Sequence, residues 1–406
     1  MFFGYLGSYF EGIAVKKLSS VDTTPSASNQ HEIGTTAKMR SDFLGEETRK
    51  YTVRYAWFGD ADEILFDSGT ATHYDTRKNQ PIRSPEWRLY YQGNAVTDSM
   101  SRDDTLFLAK MKDKEHLLFI ACKLGSSFES QLFWLFGLDQ PGSKFQSMQL
   151  GQNSTNLGFA SQLILDELGI EVEFENPDYL DSLIAKFGYT FPKTAVLSRY
   201  ARETCQEVDA IDDPDAAIEV WLAHEEALFK RLELKILRER LIEGFHSDED
   251  IDVEGFIKFS LSVQNRRKSR MGHSFEHQLA ALFDANKIRY QKQVVTEHRQ
   301  KPDFLFPGKD TYVSAEVGDP NICMLAVKSS CKDRWRQILA EAEKIPRKHL
   351  ATLEPSISES QTNQMQDFGV QLIVPASIAT TFSPSQQQWL WTVREFTEFA
   401  KSRFGS

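Results

Sequence analysis

The sequence predicts a two-part molecule: a mainly β first half, followed by an α/β second half in which helices flank a mixed sheet. Short β-branched or aromatic segments alternate with polar turns as far as Lys123. The stretch 140–156 is rich in Gln, Gly, Ser and Asn and lacks periodicity, as a linker does. Beyond it, helical apolar periods and short buried runs follow in the order α-β-β-β-α-β-α, which a mixed sheet between helices requires.

In the first half, strands are expected at 12–18, 51–58, 87–92, 105–110 and 116–123, with polar loops at 19–36 and 72–85. That spacing suits a small barrel or sandwich. A short helix over 158–169 crosses the junction, and the domains are expected at 1–165 and 176–406. In the second half, Ile218, Trp221, Leu222, Leu228, Leu232 and Ile236 place one apolar face on a helix over 214–242. A short helix follows near 252–263, and Ser274 is expected to cap another that carries Phe275, Leu279, Leu282 and Phe283. Strands are expected at 288–295, 303–306, 323–328 and 370–374, with a helix over 332–349 and one at the C-terminus.

At 406 residues, 41% hydrophobic and 26% charged, the chain has the composition of a folded protein with room for two cores. Cys122, Cys205, Cys323 and Cys331 follow no metal-ligand or disulfide spacing, which suits a reducing bacterial cytoplasm. No apolar run approaches the ~18 residues of a membrane helix, so no membrane partner is expected. A net charge of −11 argues against indiscriminate coating of nucleic acid. Acid concentrates between Glu203 and Glu254, and base between Arg266 and Arg270 and from Lys332 to Lys348. A duplex can therefore meet a local basic channel on an otherwise repelling molecule.

Asp303, in Lys301-Pro302-Asp303-Phe304-Leu305-Phe306-Pro307, stands 25 residues before Lys328, which ends the apolar run Cys323-Met324-Leu325-Ala326-Val327-Lys328. A carboxylate on one strand and an ammonium ending the next is the core of a magnesium nuclease site. The second acid usual for such a site, two residues before the Lys, is here Ala326. Glu341, on the stretch that leaves the strand, is the candidate replacement. Two carboxylates suit a hard cation that keeps some of its waters. Such a cation polarises a phosphate and lowers the pKa of an attacking water, and Lys328 is placed to stabilise growing negative charge. Taken alone, Asp303 reads more readily as a strand-edge acid than as a functional one. Lys328 ending a buried strand is harder to dismiss, because an unpaired buried ammonium is costly.

After Lys328, the run Lys332-Asp333-Arg334-Trp335-Arg336 crowds charge into one short stretch. Arg or Lys donates to guanine and Asp accepts from cytosine, so Lys332, Asp333 and Arg334 suit adjacent G·C pairs in a major groove. The bland alternative is a solvated helix face, which this charge order stabilises poorly. Arg266, Arg267, Lys268 and Arg270, with Arg336, read as phosphate contacts; a solvated linker is the rival for the first four. Glu276 is a supporting acid or a plain surface acid. Tyr312 reads as a packed aromatic, and His273, His277 and His298 follow no zinc pattern.

On these residues the second half resembles the EcoRII-type restriction endonucleases. The matching stretches are Ser262 to Arg270, Lys301 to Pro307, and Met324 to Leu339 (MLAVKSSCKDRWRQIL) with Glu341 just beyond. The resemblance implies a restriction-endonuclease-like PD-(D/E)XK fold and a magnesium site made by Asp303, Lys328 and the displaced Glu341. It implies a type II enzyme that reads the CC and GG halves of an interrupted pseudopalindrome, CCWGG or CCNGG in kind. It further implies a homodimer cutting double-stranded DNA before the first C, leaving 5′ overhangs, beside a cognate DNA methyltransferase. Related dimers extrude the central pair, and Trp221 is a weak candidate to stack on the flipped base against a plain core role. The first half resembles the family's N-terminal effector domain more faintly, which is similar to the DNA-binding pseudobarrel of plant transcription factors. Residues contacting a second DNA copy would then fall near His31, Arg77, Lys78, Arg83 and Arg88. The alternatives are a sequence-specific DNA-binding regulator that lost its chemistry and a repair or transposition nuclease on the same fold.

Overall fold

The computed structural model describes residues 4–23, 31–60, 63–80, 82–113, 115–172, 179–205, 208–247 and 250–405, with backbone alone at 179–181, 247, 268, 332 and 333. The chain divides into two compact units. One comprises 2–172 with 355–358, the other 173–354 with 359–406.

The first unit is built on an eight-stranded sheet. Its strands are β1 (Phe10–Lys17), β2 (Glu32–Gly34), β3 (Arg49–Phe58), β4 (Ile64–Asp75), β5 (Trp87–Tyr91), β6 (Thr105–Met111), β7 (His116–Cys122) and β8 (Gln146–Gln149). The order is β2-β5-β4-β3-β7-β6-β1-β8, antiparallel except where β3 meets β7. Alternation in β3 turns Tyr51, Val53 and Tyr55 into a core shared with Leu89, Tyr91, Leu106 and Phe119. The expected loop at 72–85 is shorter than its composition suggested. β4 runs on to Asp75, because the polar residues Thr72, His73 and Tyr74 pair with β5. Part of the other expected loop is also strand, since β2 pairs with β5.

In the second unit, α1 (Thr194–Thr204), α2 (Pro214–Glu243) and α3 (Val253–Ala285) pack together beside a six-stranded sheet. The hairpin β9 (His246–Ser247) and β10 (Asp250–Ile251) joins α2 to α3. The sheet order is β11 (Gln291–Lys292), β12 (Phe304–Phe306), β13 (Cys323–Lys328), β14 (Lys348–Thr352), β15 (Val370–Val374) and β16 (Trp391–Thr392). The first two pairings are antiparallel and the last three parallel, and α4 (Val393–Phe404) follows.

Three expectations are corrected here. The two helices expected around 252–263 and after Ser274 are one helix of 33 residues. Its cap is Asp252, which accepts the Gly255 N–H at 2.8 Å, whereas Ser274 is buried in mid-helix and donates to Glu225. The helix expected over 332–349 is a 3-10 helix, Lys332–Ala340, followed by a turn and then β14. Pro346 cannot continue a helix, and the left-handed φ of +48° at Ala342 turns the chain before it. The strand expected over 288–295 shrinks to β11, because Gln293 takes a φ of +53°.

Candidate active site

Asp303 immediately precedes β12, whose three residues are fully buried. Phe283 of α3 lies edge-on to Phe304 and Phe306, with ring centres 5.3 and 5.5 Å away, and Phe404 of α4 stacks on Phe306. This aromatic block leaves the strand little freedom, so it fixes the carboxylate that leads it. Asp303 Oδ2 accepts the Val327 N–H at 2.7 Å, and Oδ1 accepts from Gln293 Nε2 at 2.9 Å. One residue on, Lys328 ends β13. Burial pushes the Asp303 carboxyl above its ordinary range; the Val327 N–H and the Lys328 charge oppose that shift, and the Glu276 charge adds to it.

Glu341 closes the 3-10 helix and is nearly buried. Its carboxyl is raised to about 7, chiefly by burial and then by the negative charge of Asp303, against the pull of Lys328 and Lys348. The structure thus brings Asp303, Lys328 and Glu341 within one electrostatic neighbourhood. Glu341 Oε2 is buried and has no hydrogen-bond partner among the described residues. A buried carboxyl raised by a neighbouring carboxylate, with one oxygen lacking a hydrogen-bond partner among the described residues, is a cation-seeking arrangement. No group of three or more His, Cys, Asp or Glu converges among the described residues. Asp303 and Glu341, with backbone carbonyls and water, are the oxygen donors that could hold an ion here. That all-oxygen set fits a hard divalent ion and does not fit zinc.

Glu276 lies within α3 and pairs with Lys292 at 2.6 Å. Lys292 is the neighbour of Phe304 across β11 and β12, so this pair flanks Asp303.

Beyond β13 the chain enters Ser329-Ser330-Cys331. Glu354 accepts the Cys331 N–H at 2.5 Å and holds the loop from β14's end. Trp335 is fully buried and anchors the 3-10 helix. Arg334 is exposed, and its Nη2 donates to Ser330 O at 3.0 Å. The Lys332 and Asp333 side chains lie outside the described residues, as does that of Lys268. Arg336 crosses Trp335 and donates to Gln364 at 2.6 Å.

The remaining basic residues and Trp221 sit elsewhere. Arg266 stacks over Phe191, with 4.2 Å to the ring centre, and Arg267 donates to Glu233 at 2.7 Å. Arg270 is withdrawn as a phosphate contact. It is 5% exposed and pairs with Glu226 and, at 3.7 Å, with Glu225. The reason is that 265–270 is not a linker but a stretch of α3, whose inner face meets α2. Trp221 is likewise withdrawn as a stacking platform, since it is buried in the α2 core beside Arg202. In the first unit, Arg77 pairs with Glu86, and Arg88 bridges Glu86 and Glu32 at 2.6 and 3.0 Å. Lys78 and Arg83 are exposed, and the His31 ring lies 5.8 Å from that of Tyr91.

Gln293, Glu354 and Lys348 escaped the sequence reading. The first two are polar residues at strand ends, with no periodic signal. Lys348 had one, an ammonium opening the apolar run His349-Leu350-Ala351, hidden by assigning that run to a helix.

Residues 229–397 match the family described as EcoRII C terminal, so the resemblance read from the motifs holds over that stretch. The type II restriction enzyme EcoRII of Escherichia coli is 45% identical over 145 residues, which is 36% of this chain and 36% of that enzyme. The aligned part is thus about a third of the relative's length. Among solved structures, metal-depleted Ecl18kI in complex with uncleaved, modified DNA has a TM-score of 0.45 at 18% identity, covering 56% of this chain and 84% of the other. The restriction endonuclease PspGI–substrate DNA complex has a TM-score of 0.42 at 17% identity, covering 54% and 96%.

Proposed function

We propose that the protein is a magnesium-dependent type II restriction endonuclease that hydrolyses double-stranded DNA at an interrupted CC/GG pseudopalindrome. The observation that carries this reading is that the charges of Asp303 and Lys328 both act on Glu341, and that of Lys328 on Asp303, from three separate elements. The 45% identity over 145 residues to a type II restriction enzyme supports it.

Asp303 and Glu341 would hold the ion, and Glu276 would support it from the Lys292 pair. The bound ion supplies Lewis-acid polarisation of the phosphate and a more acidic water. Asp303 enters the reaction already oriented, because the Val327 N–H and the Gln293 amide fix both of its oxygens. Lys328 donates from Nζ toward the phosphate oxygen on which charge accumulates, and it orients the attacking water. Around them, burial keeps bulk water from screening these charges. Lys332, Asp333 and Arg334 read base edges from the loop that Glu354 holds. Cleavage before the first C by a homodimer, extrusion of the central pair, and a first unit that binds a second DNA copy or gates the nuclease complete the proposal.

Digestion of a fully sequenced plasmid with magnesium, followed by end mapping, tests it. Discrete fragments whose ends share a CC/GG core with 5′ overhangs are expected. Intact plasmid with specific binding would point to the regulator, and cutting without a shared sequence to a repair nuclease. The same digestion without residues 1–165 tests gating. Unchanged activity on a single-site plasmid would rule out autoinhibition.

A further inference from the structure

Glu341 stands on neither a strand nor an α-helix, yet its carboxylate must be held against the repulsion of Asp303. The turn that carries it is gripped from two sides. On one side, the buried ammonium of Lys348, at the start of β14, donates to Glu341 O and, at 2.8 Å, to Ala342 O. On the other, the backbone N–H groups of Ala342, Glu343 and Lys344 donate to Thr296 Oγ1, Glu297 Oε2 and Tyr312 Oη at 3.4, 3.3 and 3.4 Å. Tyr312 itself donates to Glu297 at 2.5 Å, which ties the accepting groups together.

The two sides are unequal in weight. The three amide bonds are long and partly exposed, so water can replace their acceptors. Water does not reach Lys348 in the same way. Among the described residues its hydrogen-bond acceptors are those two carbonyls, and an ammonium left buried without acceptors is costly. The folded sheet therefore admits Lys348 only when the turn presents both carbonyls inward. That demand also imposes the left-handed φ of +48° at Ala342, which an alanine does not adopt unaided.

We propose that Lys348 is the positioning residue for Glu341: by chelating the two carbonyls of its turn it sets the displaced acid against Asp303 and Lys328. The inference rests on the nuclease reading for its purpose but not for its geometry. Lys348 acts through the backbone of Glu341, and its positive charge also favours the ionised carboxylate.

The test uses the full-length protein without magnesium, read by amide hydrogen exchange and by calcium titration. Lys348→Met is expected to raise exchange at residues 342–344 at least about tenfold, while Leu350, Ala351, Leu372 and Ile373 stay protected. It should weaken calcium binding in the parent but not in Glu341→Ala, the non-additivity expected of a residue that acts through another. In cleavage, kcat should fall about 10²-fold, as for a misplaced catalytic group, with KM for DNA little changed. Protection at 342–344 equal to the parent, or equal calcium losses in both backgrounds, would overturn the proposal. If Lys348→Met does not fold, the unsubstituted protein still decides. Its Lys348 ammonium protons should exchange slowly by nitrogen-detected NMR, and free exchange would contradict the clamp. Exchange and calcium binding are read without cleavage, so a protein that leaves DNA intact defeats the nuclease reading and leaves these outcomes to judge the clamp.

Discussion

A carboxylate that faces another carboxylate in a half-dry pocket keeps its charge only if cations share the site. Glu341 has Lys328 and Lys348 for neighbours and, among the described residues, one oxygen with no hydrogen-bond partner. Glu341→Gln keeps the shape and removes the charge, so metal affinity should fall with little loss of fold. Cleavage is expected to drop at least about 10²-fold, the scale of losing one electrostatic stabiliser, with specific binding in calcium retained. Near-normal cleavage by this variant would make Glu341 a bystander. A different balance holds at Arg270, which neutralises Glu225 and Glu226 between α2 and α3. Arg270→Ala leaves both acids buried without that charge and is expected to cost about 3–5 kcal/mol in urea unfolding. A cost below about 1 kcal/mol would mean that the acids titrate or hydrate instead. The sequence announced Asp303 and Lys328 through their strands. It misassigned Arg270, because a basic run looks the same on a solvated segment and on a helix face opposite buried glutamates.

The elements that escaped the sequence are those whose conformation is set by distant partners. The 3-10 helix Lys332–Ala340 and the turn after it carry helix-favouring residues, yet Trp335, Glu354 and Lys348 hold them in another shape. Tertiary contacts outweigh propensities of a few tenths of a kcal/mol per residue. In α3 the opposite error arose, since Ser274 read as a boundary inside a continuous helix. A Cβ at Gly272 would lie 3.6 Å from Ser329 Oγ, an ordinary contact. Gly272→Ala should therefore stabilise the protein by about 0.5–1 kcal/mol through helix propensity. Thermal unfolding reads the difference, and destabilisation would point to a break at that site. By contrast, α2 and the central strands β12, β13 and β15 were legible, because unbroken apolar periods survive any tertiary context.

Across the whole molecule, each unit buries an imidazole whose protonation its surroundings oppose. Burial, helped by the Arg40 charge, lowers His73 to about 4, and burial with the Arg347 and Arg403 charges lowers His349 to about 3. In the unfolded chain both rings would protonate near 6.5. The unfolded state therefore binds more protons as pH falls below that value, and stability drops with it. The loss should run from about pH 6.5 down to about 4 for the first unit and about 3 for the second. Urea midpoints across that range check it, and His349→Gln should flatten the limb belonging to the second unit. An unchanged limb would mean that the buried ring does not carry the effect. The division into a β-rich part and a mixed-sheet part was readable from composition, whereas the paired Arg77 and Arg88 of the first unit were not, because their acids Glu32 and Glu86 lie on other strands or turns.

The arrangement of Asp303, Lys328 and Glu341 is tested most directly by a crystal structure of the full-length protein with cognate DNA and calcium, which occupies the site without supporting cleavage. One ion bound jointly by the Asp303 and Glu341 carboxylates, with Lys328 Nζ directed at the same phosphate, is the expected result. Density for an ion held without Glu341, or a Glu341 carboxylate turned to solvent, would contradict it.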